Sequence, residues 1–211
     1  MRSYGQYCPL ARALDVLGDR WTLLIVRELL LRGACRYTDL RDGLPGIATN
    51  LLADRLRELE QAGLVSREDA PPPIAATLFR LTARGEELET ALNALARWGI
   101  PLMVQDDAHD AFRGHWLTFP VDLYLVDNAP DRPPITIELR IGQQPMHLET
   151  VDGTVHVRTG SAERPEAVLT GTPRLVLGVL TGTLELADAR ALGLRCEGDE
   201  RALRRVQPHT S

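Results

Sequence analysis

The sequence predicts an α+β protein built from two segments. Three observations carry this reading. The first half repeats its apolar residues at helical spacing, the residues beyond Gln105 alternate with period two, and Gly and Pro punctuate both stretches. A length of 211 residues suits one large domain or two small ones. The expected division is 1–104 and 105–211, with the boundary in the polar run Gln105-Asp106-Asp107-Ala108-His109-Asp110.

In the first segment, Pro9 to Leu17 reads as a short helix ending at Gly18, with Leu10, Leu14 and Leu17 along one side. Asp19 is placed to cap a second helix, Arg20 to Leu31, whose Trp21, Leu23, Leu24, Ile25, Val26, Leu29 and Leu30 are apolar nearly all round, as in a buried central helix. Thr38-Asp39-Leu40-Arg41 continues as a short helix carrying Tyr37, Leu40 and Leu44 on one face. Gly43, Pro45 and Gly46 then impose a stop. A fourth helix opens at Ala48 or Thr49, carries Leu52, Leu56 and Leu59 as its apolar stripe, and ends before Gly63. Leu64–Arg67 and Thr77–Leu81 alternate as two short strands, with Pro71-Pro72-Pro73 at the tip between them. Thr82 caps a last helix, Arg84 to about Gly99, whose stripe of Leu88, Leu92, Leu95 and Trp98 continues to Leu102.

The second segment begins with two alternating stretches read as strands: Val121, Leu123, Leu125, and then Ile135, Ile137, Leu139, Ile141 with Thr136, Glu138 and Arg140 facing outward. Asp152-Gly153 is a hairpin signal before Val155 and Val157. Thr172-Pro173 starts a helix that Gly182 stops. A short helix near Leu186–Leu192, a strand at Leu194–Glu197 and a helix from Asp199 to Val206 complete the segment.

Composition narrows the classes. With 44% hydrophobic and 25% charged residues the chain is an ordinary globular sequence. It has no apolar run near the roughly 18 residues of a membrane span, and its opening residues lack the apolar stretch of a secretory signal, so a cytoplasmic protein without membrane partners is expected. Cys8, Cys35 and Cys196 are too few and too scattered for a disulfide framework or a zinc site. No Gly-x-Ser-x-Gly, His-Glu-x-x-His or phosphate-cradling loop is present, and the five histidines show no ligand spacing. The expectation is a non-enzyme with neither cofactor nor metal.

Helix, break, helix and then two short strands is the layout in which the helix after the break enters the major groove of DNA. The motifs Cys8-Pro9-Leu10, Leu17-Gly18-Asp19-Arg20-Trp21-Thr22, Arg36-Tyr37-Thr38-Asp39-Leu40, Leu44-Pro45-Gly46-Ile47-Ala48 and Leu56-Arg57-Glu58-Leu59-Glu60 resemble those of the HxlR family of bacterial winged-helix regulators. Gly63-Leu64-Val65 and Leu81-Thr82-Ala83-Arg84-Gly85 add to the resemblance, which covers about residues 5–100. It implies a winged helix-turn-helix, mainly α with a two-stranded wing, in a homodimer that binds double-stranded DNA and mostly represses nearby genes. Arg20 stands where many members carry Lys, and the wing from Asp69 to Thr77 carries three prolines and no basic residue. Charge runs against the reading at first sight. The net charge is −5, but residues 1–104 hold 13 Arg against 13 acids and residues 105–211 hold 11 Arg against 16, so the acidity lies in the second segment. There is no lysine, so phosphate contacts fall to Arg or neutral donors.

The candidate DNA-contacting set is Thr38, Ala48, Thr49, Asn50, Asp54, Arg55 and Arg57, with Arg36, Arg67 and Arg80 as further phosphate contacts. Thr49 and Asn50 fall in the first turn of the recognition helix, where Asn can pair bidentately with adenine; the alternative for Asn50 is a helix cap. Arg55 and Arg57 read as phosphate clamps or as intrahelical partners of Asp54, Glu58 or Glu60. Trp21 and Trp98 read as packing residues of this unit and its dimer interface.

In the second segment, the Asp152-Gly153 hairpin, Ala167-Val168-Leu169-Thr170-Gly171-Thr172-Pro173, the helix through Leu180, and Cys196-Glu197-Gly198-Asp199 resemble a sterol-carrier-protein-like α+β domain. Such domains enclose an apolar cavity under a curved sheet. The resemblance implies an apolar small-molecule effector, with Phe112, Trp116, Phe119, Tyr124 and Met146 as lining and Tyr124, His147 and Arg140 as polar groups; the alternatives are an ordinary filled core and a pure dimerisation module. A redox-sensing thiol at Cys8, where some family members carry one, is the competing mode of control, with Arg12 one turn along as a source of positive charge.

Overall fold

The computed structural model describes residues 3–71, 75–104, 110–142 and 145–208. Outside them lie Gln105–His109 of the expected boundary, Pro72 and Pro73 of the wing tip, and His209. The chain folds as two compact units, residues 1–94 and 95–211.

The first unit opens with α1 (Pro9–Leu17), which has Pro at its first position. In α2 (Thr22–Arg32) the Asp19 carboxylate accepts the Trp21 N–H at 3.0 Å, so the helix starts two residues beyond the expected Arg20. Then come β1 (Cys35–Arg36), α3 (Tyr37–Asp42), α4 (Thr49–Gln61), β2 (Val65–Ala70), β3 (Ala76–Leu81), α5 (Ala83–Glu86) and α6 (Glu89–Gly99), the last ending beyond the unit boundary. The sheet is antiparallel in the order β1-β3-β2. Its third strand was not foreseen, because two residues, Cys35 and Arg36, carry no periodicity. The expected single helix after Thr82 is two: Leu88 N–H reaches back only three residues, to the Gly85 carbonyl, and breaks the α ladder. Ile25, Val26, Leu29, Leu40, Leu52, Leu56 and Leu59 form the core. Leu10 and Leu14 do not join it; with Tyr4 and Tyr7 they are exposed on the single chain, and of the long C-terminal stripe only Leu92 is fully buried.

In the second unit, two 3-10 turns (Ile100–Val104 and Gly114–Leu117) lead to α7 (Thr118–Tyr124) and β4 (Leu125–Asp127). There follow β5 (Thr136–Arg140), β6 (Met146–Val151), β7 (Thr154–Thr159), β8 (Ala167–Thr170), α8 (Pro173–Leu180), α9 (Leu186–Ala191), β9 (Arg195–Gly198), α10 (Glu200–Arg205) and β10 (Val206–Pro208). Seven strands run β10-β4-β7-β6-β5-β8-β9, antiparallel except for the parallel β5–β8 pair. Asp152 and Gly153 both take positive φ, 49° and 81°, as a type I′ hairpin requires. One face of the sheet, with Ile137, Leu139, Leu148, Val155 and Leu169, packs with Leu175, Val176, Leu180, Leu117 and Val121.

Two expectations fail here. The stretch with Val121 and Leu123 is helix, and only Leu125 of the expected strand is extended, opening β4; Leu117, Val121 and Leu125 are buried at a spacing of four, which fits a helical period as well as alternation. Glu138, expected to face water, is 3% exposed. It is satisfied in place, accepting from Arg140 Nε at 2.7 Å and Ala162 N–H at 2.9 Å. Burial pushes its carboxyl up, but the bonds from Arg140 and Ala162 and the charges of Arg140 and His147 outweigh it, holding the group below the usual carboxylate range.

Candidate nucleic-acid interface

α3, the turn Gly43–Ile47 and α4 form the helix-turn-helix of the first unit, and β2 and β3 form its wing. The turn is built on a buried charge. Glu28 of α2 is fully buried, takes a 2.7 Å ion pair from Arg27 and lies 3.8 Å from Arg32. Arg27 also donates to the Gly43 carbonyl at 3.3 Å and Arg32 to the Asp39 carbonyl at 3.0 Å, so both cations tie α2 to the end of α3. Burial lowers the Arg27 guanidinium from its ordinary value, and Glu28 opposes that shift. A Cβ at position 43 would fall 2.0 Å from Glu28 Oε2, so only glycine leaves room for the carboxylate. Tyr37, placed by its spacing on one face with Leu40 and Leu44, donates its hydroxyl to the Thr49 carbonyl at 2.5 Å and so fixes the first turn of α4 from α3. Neither the Glu28 network nor this clamp was anticipated. The signal for the first was an acid inside an otherwise apolar helix.

Ala48, Thr49 and Asn50 are exposed at the start of α4, while Leu52, Leu56 and Leu59 anchor its opposite face. The N-cap position is Ala48, and the Asn50 side chain makes no hydrogen bond with any described residue. Thr38 is exposed on α3. Arg57 is exposed and pairs with Asp54. Arg55 is only partly exposed, paired with Glu58 and 3.7 Å from Asp19. Arg67 lies 3.5 Å from Glu60 and Arg80 3.0 Å from Glu68. Arg36 starts α3, where its N–H donates to the Asp39 carboxylate at 2.9 Å. Arg41, which the sequence reading passed over, is exposed on α3 with no ion pair among the described residues.

Cys8 holds the N-cap position of α1 and is half-buried. Arg12 is engaged by Asp15 at 3.6 Å and by the Ser3 hydroxyl at 3.3 Å. Cys35 is buried, and burial pushes its thiol up to about 11. In the second unit, burial also raises the Cys196 thiol.

The residues expected to line a ligand cavity are distributed through the second unit. Met146 is a core residue packed against Gly114, and Phe112 and Tyr124 border the same core. Tyr124 donates its hydroxyl to the Arg97 carbonyl at 3.0 Å, and His147 Nδ1 lies 2.9 Å from the Gly160 carbonyl. Trp116 sits edge-on to His115, and Phe119 is half-buried in α7. A cleft of about 510 Å³ opens elsewhere, walled by the end of α8, α9 and α10. Val179, Leu184, Leu186 and Leu203 give it apolar walls, and Glu185, Arg190, Glu200 and Arg204 are its charged groups. No helix among the described residues is long and apolar enough to cross a membrane.

Residues 16–107 match a family described as HxlR-like helix-turn-helix. An HTH-type transcriptional regulator of Synechocystis is 36% identical over 102 residues, which are 48% of this chain and 75% of that protein. The HTH-type transcriptional regulator YodB of Bacillus subtilis is 33% identical over 92 residues, 43% of this chain and 81% of that protein. A solved structure of the reduced form of YodB aligns at 30% identity over 48% of this chain and all of that one, with a TM-score of 0.41.

Proposed function

The chain belongs to the HxlR-like helix-turn-helix family of DNA-binding transcription regulators, and from that premise we propose that it is a repressor which binds an inverted repeat as a two-fold dimer. The observation that carries this reading is the exposed start of α4. Ala48, Thr49 and Asn50 stand free of the core, held in place by the Tyr37 hydroxyl and by a turn seated on Glu28. In a helix-turn-helix the N-terminal residues of the second helix contact base edges. Thr49 and Asn50 read bases, with Ala48 and Thr38 beside them; Arg36, Arg55, Arg57, Arg67 and Arg80 contact phosphate. Asp54 sets the position of Arg57. The apolar side chains exposed on α1 and along the Leu95–Leu102 stripe support dimerisation.

Selection of duplexes from a random-sequence pool tests the reading. An inverted repeat should emerge, its half-sites about 10 bp apart centre to centre or a multiple of that. A lone half-site, or a monomer by light scattering that still binds DNA, overturns the dimeric account.

The cleft beside α8, α9 and α10 supports a second level of control, in which the sterol-carrier-protein-like unit takes up an apolar or amphipathic effector that lowers operator affinity. Ligand sites combine apolar walls with polar groups that fix orientation, and this cleft sets Val179, Leu184, Leu186 and Leu203 beside four charged residues, a lining suited to an amphipathic molecule. The effector must prefer the DNA-incompetent state, and a tenfold shift needs about 1.4 kcal/mol of differential affinity. Deleting residues 106–211 should abolish the response to the inducer. An unchanged response in a truncated protein that still binds DNA favours the competing account, a thiol switch at Cys8.

A further inference from the structure

Arg55, Arg57, Arg67 and Arg80, all assigned to phosphate, are already paired with carboxylates of their own unit: Arg55 with Glu58, Arg57 with Asp54, Arg67 with Glu60 and Arg80 with Glu68. The pairs lie on α4 and the wing, two within α4, one from β2 to α4 and one across the wing. These are four of the 13 arginines that 13 acids balance in residues 1–104. Resting on the DNA-reading role proposed above, we infer that these carboxylates form an electrostatic filter that suppresses binding to arbitrary sequence.

Affinity for arbitrary DNA comes from cations that neutralise phosphates and release condensed counterions. An arginine that arrives with its own carboxylate brings no net charge to the backbone. A phosphate must displace that carboxylate, which then stays within a few ångströms of the DNA and repels it. The exchange is close to neutral, so phosphate contacts alone hold the protein weakly. Base-edge contacts from the start of α4, which carry the sequence information, must supply the rest. Glu58, Glu60 and Glu68 are therefore specificity residues that touch no base. The absence of any basic residue from Asp69 to Thr77 is consistent, since it leaves the wing without an unpaired cation there.

The test uses the full-length protein and a short duplex of arbitrary sequence, with binding measured from about 50 to 200 mM salt. Glu58→Gln, Glu60→Gln and Glu68→Gln should each tighten binding by about two- to fivefold, the range an exposed ion pair can supply. The triple variant should steepen the plot of log K against log salt by about 0.9 for each phosphate newly neutralised. It should also enrich a less defined motif from a random-sequence pool. Glu87→Gln removes the same charge from an exposed residue in none of these pairs and should change neither affinity nor slope. If the three variants bind arbitrary duplex no more tightly than wild type, or if Glu87→Gln tightens it equally, the filter is refuted while DNA binding stands. If neither wild type nor any variant binds duplex of any sequence, the DNA-reading account fails and the filter with it.

Discussion

Gly43→Ala is the most informative single change, because the atoms nearest a methyl group there all belong to the Glu28 side chain. Gly43 has φ −73° and ψ −4°, a conformation any residue adopts, so alanine brings no backbone strain. By itself the substitution would stabilise the fold by about 0.4–1 kcal/mol through the unfolded chain. Against this, the new Cβ would lie 2.0 Å from Glu28 Oε2 and 2.6 Å from Cδ. The carboxylate cannot swing away cheaply, since it is fully buried and held by Arg27. Overpacking of this kind costs about 1–3 kcal/mol, more than the backbone gain. A net loss of about 1–2 kcal/mol is therefore expected in urea unfolding followed by tryptophan fluorescence; Trp21 packs near Gly46 of the same turn. In a Glu28→Ala background, itself destabilised by about 3–5 kcal/mol because Arg27 loses its partner, the same methyl should cost nothing. The coupling between the two sites should reach about 1.5–3 kcal/mol. An equal cost in both backgrounds, or a stabilised single variant, would refute the packing argument.

Other outcomes follow from single contacts. Tyr37→Phe removes the bond to the Thr49 carbonyl and should lower stability by about 0.5–1.5 kcal/mol while blurring base preference; unchanged preference in a selection would show that Tyr37 does not position α4. Arg205→Ala strands Asp127, whose carboxylate takes two bonds from Arg205 at 2.6 and 2.7 Å, and should destabilise the second unit by about 3–5 kcal/mol, read by calorimetry. The same pair sets an acid limit. The Arg205 hydrogen bonds hold Asp127 below the usual carboxylate range, so its stabilising effect is complete above the ordinary value of about 3.9 and is lost as pH falls through the lowered one. Wild type should lose stability steeply below about pH 4, and Arg205→Ala should flatten that loss; parallel acid profiles would contradict the assignment.

The first unit was legible because its helices are long enough for periodicity to be unambiguous and its ends are marked by residues with one conformational reason each. Leu52, Leu56 and Leu59 are buried as their spacing required, and the turn, caps and wing strands fall within a few residues of where Gly, Pro and Thr put them. In the second unit, Thr172, Asp152-Gly153 and Asp199 marked their elements equally well. The segment Leu117–Leu125 did not declare itself, since apolar residues at 117, 121, 123 and 125 satisfy both periods, and only packing decides. Glu138 was misread for the opposite reason: its strand alternates cleanly, but the Ala162 backbone covers the outward face, a tertiary fact with no local trace. The candidate interface was legible in position rather than in state. Thr49 and Asn50 are exposed where helix-turn-helix geometry places them, and the pairs of Arg55 with Glu58 and Arg57 with Asp54 were one of the two readings their spacing allowed, whereas those of Arg67 and Arg80 depend on contacts between elements. The Glu28–Gly43 contact joins residues fifteen apart through a buried charge, which no one-dimensional pattern reports.

The central claim is that the first turn of α4 reads base edges, and Asn50→Ala tests it most directly. Wild type and variant should be titrated against a duplex selected by the wild type and against the set of its single-base-pair replacements. Loss of a bidentate contact to adenine should remove about 1–3 kcal/mol of discrimination at one position in each half-site and leave the others unchanged. The salt dependence should stay as in the wild type, because no phosphate contact has gone. A variant that discriminates at every position as the wild type does would contradict the claim and place recognition elsewhere on the protein.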